Sequence, residues 1–171
     1  SHKASKPSLL PAEEKPVATD HMPDLSVFRD IDEPWCPELV TLPTGAFMMG
    51  SRPTDEEADD AEQPWHQVTI GYRFAVGRYP VTFEEYDRFC EAAQRDKPRD
   101  SGWDRGRRPV INVNWDEAKA YVAWLGKETG KDFRLLSESE WEYACRGGTV
   151  TRYSCGDSIT GKDAKFLGKG R

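Results

Sequence analysis

The stretch from Phe133 to Gly148 constrains the fold more than any other part of this chain, because it writes both ends of a helix into sixteen residues. Ser137 stands where an N-cap belongs, and Glu140 follows three residues later. The pair predicts a capping box, in which the hydroxyl accepts a first-turn backbone N–H and the carboxylate accepts the cap's own N–H. Leu136 and Trp141 are spaced to close over it as a hydrophobic staple. Gly147 and Gly148 predict the stop, since glycine takes the left-handed conformation that a helix end needs. Trp141, Ala144 and Cys145 share one face and are expected to point into a core. Glu142 and Arg146, four apart on another face, are expected to support the helix by roughly a few tenths of a kcal/mol.

The same device recurs twice. Thr82 and Glu85 open an earlier helix, with Val81 and Tyr86 as its staple, and Asn114 and Glu117 open a second, which Gly130 ends. A good cap contributes ~1 kcal/mol, and helices near ~12–15 residues are marginal alone, so packing must supply the rest. Tyr86, Phe89 and Cys90 share a face, which makes Cys90 a small buried hydrophobe rather than a nucleophile. Trp115, Ala118, Val122 and Leu125 form the expected inner stripe of the second helix. Ahead of the helices, Leu39, Val40 and Leu42 lead into Pro43-Thr44-Gly45 and then Phe47, Met48 and Met49. That pattern reads as a hairpin over Glu38–Ser51, with the methionines as core and rim packing. Val68 to Gly77 alternates apolar and polar residues through two short strands.

The bulk properties set outer bounds. The 171 residues allow one domain, or one domain with tails. A mean hydropathy of −0.77, with no apolar run near the ~20 residues of a membrane span, predicts a soluble chain. A net charge of −6 argues against nucleic acid as a partner. Cytoplasmic placement is favoured over secretion, with the compartment otherwise open. Cys36, Cys90, Cys145 and Cys155 show no C-x-x-C spacing, so zinc is not expected, and their spacing neither implies nor excludes disulfides. The three histidines are His2, His21 and His66, too few and too scattered for a multi-histidine metal site. Residues 1–30 read as a proline-punctuated disordered tail, and residues 31–171 as the domain. Ser1-His2 and His21-Met22 look like cloning scars, so residues 1–22 read as vector-derived; no signal peptide is visible.

Three features invite sharper readings. Asp55 to Glu62 holds six acidic residues in eight, but without the alternating spacing of a calcium loop it reads as a solvated loop. His66 stands alone and reads as a hydrogen-bonded structural histidine. Gln94 to Arg108 carries Arg99, Arg105, Arg107 and Arg108 interleaved with Asp96, Asp100 and Asp104, again a solvated loop. Trp103 within it either pins the loop or lies exposed for binding. The loop around Trp103, together with Asp55–Glu62, is the expected surface for a protein or peptide partner.

The motifs resemble those of one family. Arg134-Leu-Leu-Ser-Glu-Ser-Glu-Trp-Glu-Tyr-Ala-Cys-Arg-Gly-Gly148 is similar to the signature of the formylglycine-generating enzymes, or sulfatase-modifying factors. Leu136, Ser137 and Ser139 replace that signature's proline, threonine and alanine, and the cap chemistry survives. Leu42-Pro-Thr-Gly-Ala-Phe-Met-Met-Gly-Ser51, Glu62-Gln-Pro-Trp-His-Gln-Val68, Val81-Thr82 with Tyr86 and Phe89, and Pro109-Val110 with Trp115 resemble further family motifs in the same order. Cys155 stands where the family usually has a tryptophan.

The resemblance runs from about Pro37 to Asp157 and covers the first part of the family's domain. It implies an α+β, formylglycine-generating-enzyme-like fold, also described as C-type-lectin-like, with short helices, small antiparallel sheets and much irregular structure. In that family a cysteine pair in the second half binds copper(I) and uses dioxygen to oxidise a substrate cysteine to formylglycine. The Gly-Asn-x-x-Glu-Trp and Gly-Phe-Arg segments of that half do not occur here, nor does the His-x-x-x-His-x-Glu set of iron-dependent relatives. Cys145 falls where some members have a structural half-cystine. The resemblance therefore implies copper(I) for a complete bacterial-type oxidoreductase domain, but no catalytic, cofactor-binding or metal residue in this chain, which is expected to be inactive alone. Ser137, Glu140, Trp141, Glu142 and Arg146 are the expected framework. The alternatives are a non-catalytic lectin-like binding module and an accessory domain of a larger signalling protein. Association with the remaining part of the domain is a further expectation.

Overall fold

Three capped helices and two small antiparallel sheets make up the computed structural model, which describes residues 25–55 and 59–149. Strands β1 (Val27–Phe28), β2 (Leu39–Leu42) and β5 (Phe74–Gly77) form one sheet in the order β1-β2-β5. Strands β3 (Gly45–Met49) and β4 (His66–Ile70) form the other. Val27 and Phe28, inside the stretch read as tail, pair with Val40 and Leu39.

The hairpin expected over Glu38–Ser51 does not form. β2 pairs with β5, from Leu39↔Gly77 to Leu42↔Phe74, and β3 pairs with β4, from Gly45↔Ile70 to Met49↔His66. The two ladders are halves of one long antiparallel ribbon. At its bend Pro43 and Thr44 face Gly71, Tyr72 and Arg73, so two residues oppose three and the register slips by one. Proline has no N–H for a ladder, so Pro43 bends the ribbon and does not reverse it. The expectation of two short strands within Val68–Gly77 holds.

Helices α1 (Phe83–Ala92), α2 (Trp115–Thr129) and α3 (Glu138–Arg146) each begin with a complete capping box, at Thr82/Glu85, Asn114/Glu117 and Ser137/Glu140. Gly130 and Gly147 end α2 and α3 in the left-handed conformation. Tyr86, Phe89 and Cys90 of α1 meet Tyr121 and Leu125 of α2 in the core, flanked by Trp35 and Trp124. The rings of Tyr86 and Tyr121 lie 5.4 Å apart, and Trp35 and Trp124 5.2 Å apart. Burial pushes the Tyr86 hydroxyl up to about 12, and burial raises Tyr121 further. Burial likewise raises the Cys90 thiol, whose Sγ–H donates to the Asp96 carbonyl. Cys90 is the inert core residue its spacing predicts.

The stripe of α2 is displaced from its expected position. Its buried residues are Tyr121 and Leu125, while Trp115 is 65% exposed with the Lys119 ammonium 4.3 Å from its ring centre. Trp115 occupies the first helical position, where the side chain leans over the capping turn instead of the α1 interface. The loop before α2 is pinned by Arg105. Its guanidinium pairs with Asp87, donates to the Pro98 carbonyl at 2.8 Å and lies 4.5 Å from the centre of the buried Phe83 ring. Trp103 is 40% exposed beneath the Arg108 guanidinium.

Candidate functional site

Helix α3 packs on β3 through glycine. A Cβ on Gly45 would stand 2.6 Å from the Tyr143 hydroxyl oxygen, so the helix can approach this closely only there. The Tyr143 ring lies 5.5 Å from that of Phe47 and 6.4 Å from that of Phe74, and Ser139 donates its hydroxyl to Met49 Sδ at 3.3 Å. The inward face of α3 therefore runs through Ser139, Glu140 and Tyr143. Trp141 is 60% exposed and Cys145 is also exposed, so the expected inner face of Trp141, Ala144 and Cys145 is the outer one. The ribbon beneath α3 presents backbone amides and a tyrosine hydroxyl. Bonding to these partly buried polar groups turns the helix polar side in.

Glu140, 1% exposed, is where three segments meet. Its carboxylate accepts from the Ser137 backbone N–H at 2.8 Å, closing the capping box. It also accepts two hydrogen bonds from Arg134, at 2.6 and 2.7 Å, and one from the Tyr72 hydroxyl at 2.8 Å. The Arg134 bonds, with those from Ser137 and Tyr72, hold this carboxyl well below the usual carboxylate range. The bond from Tyr72 to the carboxylate in turn raises the Tyr72 hydroxyl. Tyr72 comes from the bend of the ribbon, so the extra residue there aims its side chain at α3.

One turn further on, Glu142 and Arg146 pair with each other and together grip Gly50, just past β3. The Gly50 N–H donates to Glu142 Oε1 at 3.0 Å, and Arg146 donates to the Gly50 carbonyl at 2.8 Å. Gly50 has φ of +89°, and a Cβ there would meet the Glu62 carbonyl oxygen at 2.3 Å. Only glycine fits this point. The pair expected to stiffen one helix surface is a long-range clamp.

Beside the clamp lies a cleft of about 400 Å3, walled by Met48, Gly50, Arg52, Trp65, Tyr143 and Arg146, with Asp55 at its edge. Its lining includes the arginines Arg52 and Arg146 and the aromatic residues Phe47, Trp65 and Tyr143. His66, at the start of β4, bonds through Nδ1 to the Pro64 carbonyl at 2.6 Å, the structural role its isolation predicts. Asp59 caps a short 3-10 turn over Asp60–Glu62 within the acidic run. Asp55 borders the cleft, and Trp103 is not among the residues that line it.

Of the expected framework residues, Ser137, Glu140, Glu142 and Arg146 hold α3 to its surroundings and Trp141 does not. Tyr72, Arg134 and Gly50, to which no motif assigns a role, complete the site. Sequence spacing supplies Glu140 with the Ser137 N–H and Glu142 with Arg146, whereas Tyr72 and Gly50 come from 68 and 92 positions away and carry no local signal.

Two of the described thiols, Cys36 and Cys90, are buried, and the third, Cys145, is exposed. Cys36, Cys90 and Cys145 are free, and among the described residues no group of three or more His, Cys, Asp or Glu is placed to hold a metal. Burial raises the Cys90 thiol, and partial desolvation with the nearby Glu142 carboxylate raises that of the exposed Cys145. Cys155 lies outside the described residues. No described helix is long and apolar enough to cross a membrane.

The family described as the sulfatase-modifying factor enzyme 1-like domain matches residues 27–169. The chain belongs to this family. Its α+β architecture is that of a solved relative, PvdO from Pseudomonas aeruginosa, with a TM-score of 0.68 and 35% identity over 73% of this chain and 52% of that one. It is 31% identical to a formylglycine-generating enzyme of Mycobacterium tuberculosis, over 70% of this chain and 55% of the relative. It is 32% identical to the serine/threonine-protein kinase pkn1 of Chlamydia caviae, over 79% of this chain and 24% of the relative. A Bos taurus relative named as an inactive Cα-formylglycine-generating enzyme 2 is 28% identical over 64% of this chain. The chain thus spans about half the length of the formylglycine-generating enzyme it matches and about a quarter of the kinase.

Proposed function

We propose that this chain is the framework portion of a sulfatase-modifying-factor domain. It shapes a peptide-sized cleft and does not itself oxidise a substrate cysteine. The observation carrying the reading is the deployment of α3. Glu140, Glu142 and Arg146 bond to Arg134, Tyr72 and the Gly50 backbone, and Arg146 lines the cleft, so these three side chains hold the framework rather than a reacting group. In a complete domain the copper(I) and its cysteine pair, as the family resemblance implies, would come from outside the described residues. The partner is a protein or peptide whose cysteine is oxidised to formylglycine. The test is incubation of the 171-residue chain with copper(I), dioxygen and a Cys-x-Pro-x-Arg peptide, followed by hydrazide capture of aldehyde. The chain alone yields none; aldehyde above the metal-only background overturns the reading.

A second reading is favoured by the match to pkn1, in which a similar segment is a quarter of a protein named as a kinase. There the same scaffold would serve as an accessory, lectin-like binding domain of a signalling protein. The two readings part on the native sequence beyond Arg171: a downstream cysteine pair favours the framework of an oxidase, and a downstream domain without one favours the accessory module.

A further inference from the structure

Strand β3 has one strand partner among the described residues, β4, and no described strand lies on its other edge. The direction of its backbone groups follows from the residues that continue it. Ser51 donates its N–H to the Glu62 carbonyl at 3.0 Å, on the β4 side, whereas the N–H and C=O of Gly50 are held on the other side by Glu142 and Arg146. Backbone groups alternate along an antiparallel strand. Phe47 and Met49 therefore pair with β4, and Ala46 and Met48 aim their N–H and C=O away from it. Ala46, Phe47 and Met48 all border the 400 Å3 cleft, although alternate side chains point to opposite faces, so the cleft runs along the strand's edge. Its far wall includes Thr149, whose buried hydroxyl has no partner among the described residues.

We propose that this edge receives an added strand from the part of the sulfatase-modifying-factor domain that the chain does not span. The occupant is chosen by length: the M. tuberculosis enzyme and PvdO extend far beyond the 55% and 52% that match. A hydrogen-bonding edge of this kind is ordinarily covered in a finished fold. Glu142 and Arg146 already complete the two Gly50 groups, which sets the end of the incoming strand and its register against Ala46 and Met48. The inference rests on the framework reading and deepens it by naming the surface that meets the rest of the domain.

The test mixes the 171-residue chain with a separately expressed polypeptide carrying the portion of the M. tuberculosis enzyme that it does not match. Amide exchange is then followed residue by residue. In the free chain the Phe47 and Met49 amides are protected and those of Ala46 and Met48 are not. In the mixture a complex forms and protection of Ala46 and Met48 rises at least about tenfold. Ala46→Pro, which removes one outward N–H and no bond to β4, weakens the complex about tenfold or more while the circular dichroism melt is kept. If the variant fails to fold, the exchange pattern of the unaltered chain decides. A complex without new protection at Ala46 and Met48 overturns this inference and leaves the framework reading standing; no complex overturns both. Protection at these two amides that grows with the concentration of this chain alone assigns the edge to a second copy and overturns it also.

Discussion

Arg146 and Gly50 stand 96 positions apart, and the guanidinium of one donates to the carbonyl of the other at 2.8 Å. Glu142 completes the arrangement by accepting the Gly50 N–H and pairing with Arg146. Both side chains are only 20% exposed, which separates this pair from an ordinary surface i,i+4 contact. A double-mutant cycle of Glu142→Ala and Arg146→Ala is expected to return a coupling of about 1–2 kcal/mol in urea unfolding. A surface pair gives a few tenths (roughly 0.2–0.5) of a kcal/mol.

Gly50→Ala is expected to cost at least about 2 kcal/mol, because the left-handed backbone and the Glu62 carbonyl both oppose a Cβ. Thermal melts of this variant and of Gly102→Ala separate the two causes. Gly102 also has positive φ but open space around its Cβ position, so it reports backbone strain without the clash.

Tyr121→Phe is expected to leave stability unchanged or raise it by up to about 1 kcal/mol. The hydroxyl is buried without a hydrogen-bond partner among the described residues, and removing such a group recovers its desolvation cost. Denaturant unfolding decides; a loss above about 1 kcal/mol indicates a partner that the hydroxyl serves.

Trp141→Ser is expected to change the stability of this chain by no more than about 0.5 kcal/mol, the range for an exposed position. A core tryptophan would cost about 3–5 kcal/mol. Calorimetry on the variant distinguishes these directly.

What could be read from the sequence was what is local. Each capping box, the left-handed stops at Gly130 and Gly147, and the inert burial of Cys90 depend on residues a few positions apart. The errors share a different cause. The hairpin over Glu38–Ser51 failed because the true partners of β2 and β3 lie beyond a loop and a turn, and nothing near Pro43 announces a bend instead of a reversal. Helical spacing groups Trp141 with Ala144 and Cys145, and Trp115 with Ala118, Val122 and Leu125, and an apolar face of that kind is expected to point inward. The neighbours of α3 are instead the Gly50 backbone and the Tyr72 hydroxyl, polar groups supplied from far along the chain. The polar inner face of α3 is thus a tertiary fact: the spacing gives Glu140 its cap and Glu142 its Arg146, but not Tyr72 or the Gly50 backbone.

The central claim is that a buried, ionised Glu140 ties the bend of the ribbon, the Arg134 segment and the cap of α3 into one unit. In the unfolded chain its carboxyl takes up a proton near pH ~4.3, and in the fold only well below that. The native carboxyl is thus depressed, so its contribution is present above pH ~4.3 and is lost as pH falls further. Glu140→Gln is expected to remove about 3 kcal/mol at neutral pH and to flatten that acid dependence. The most direct measurement is the side-chain carboxyl carbon shift of Glu140, followed by NMR from pH 7 downwards. A resonance that stays in its ionised position until the protein itself unfolds is the predicted result. Titration of Glu140 in the folded chain at the ordinary glutamate value contradicts the account.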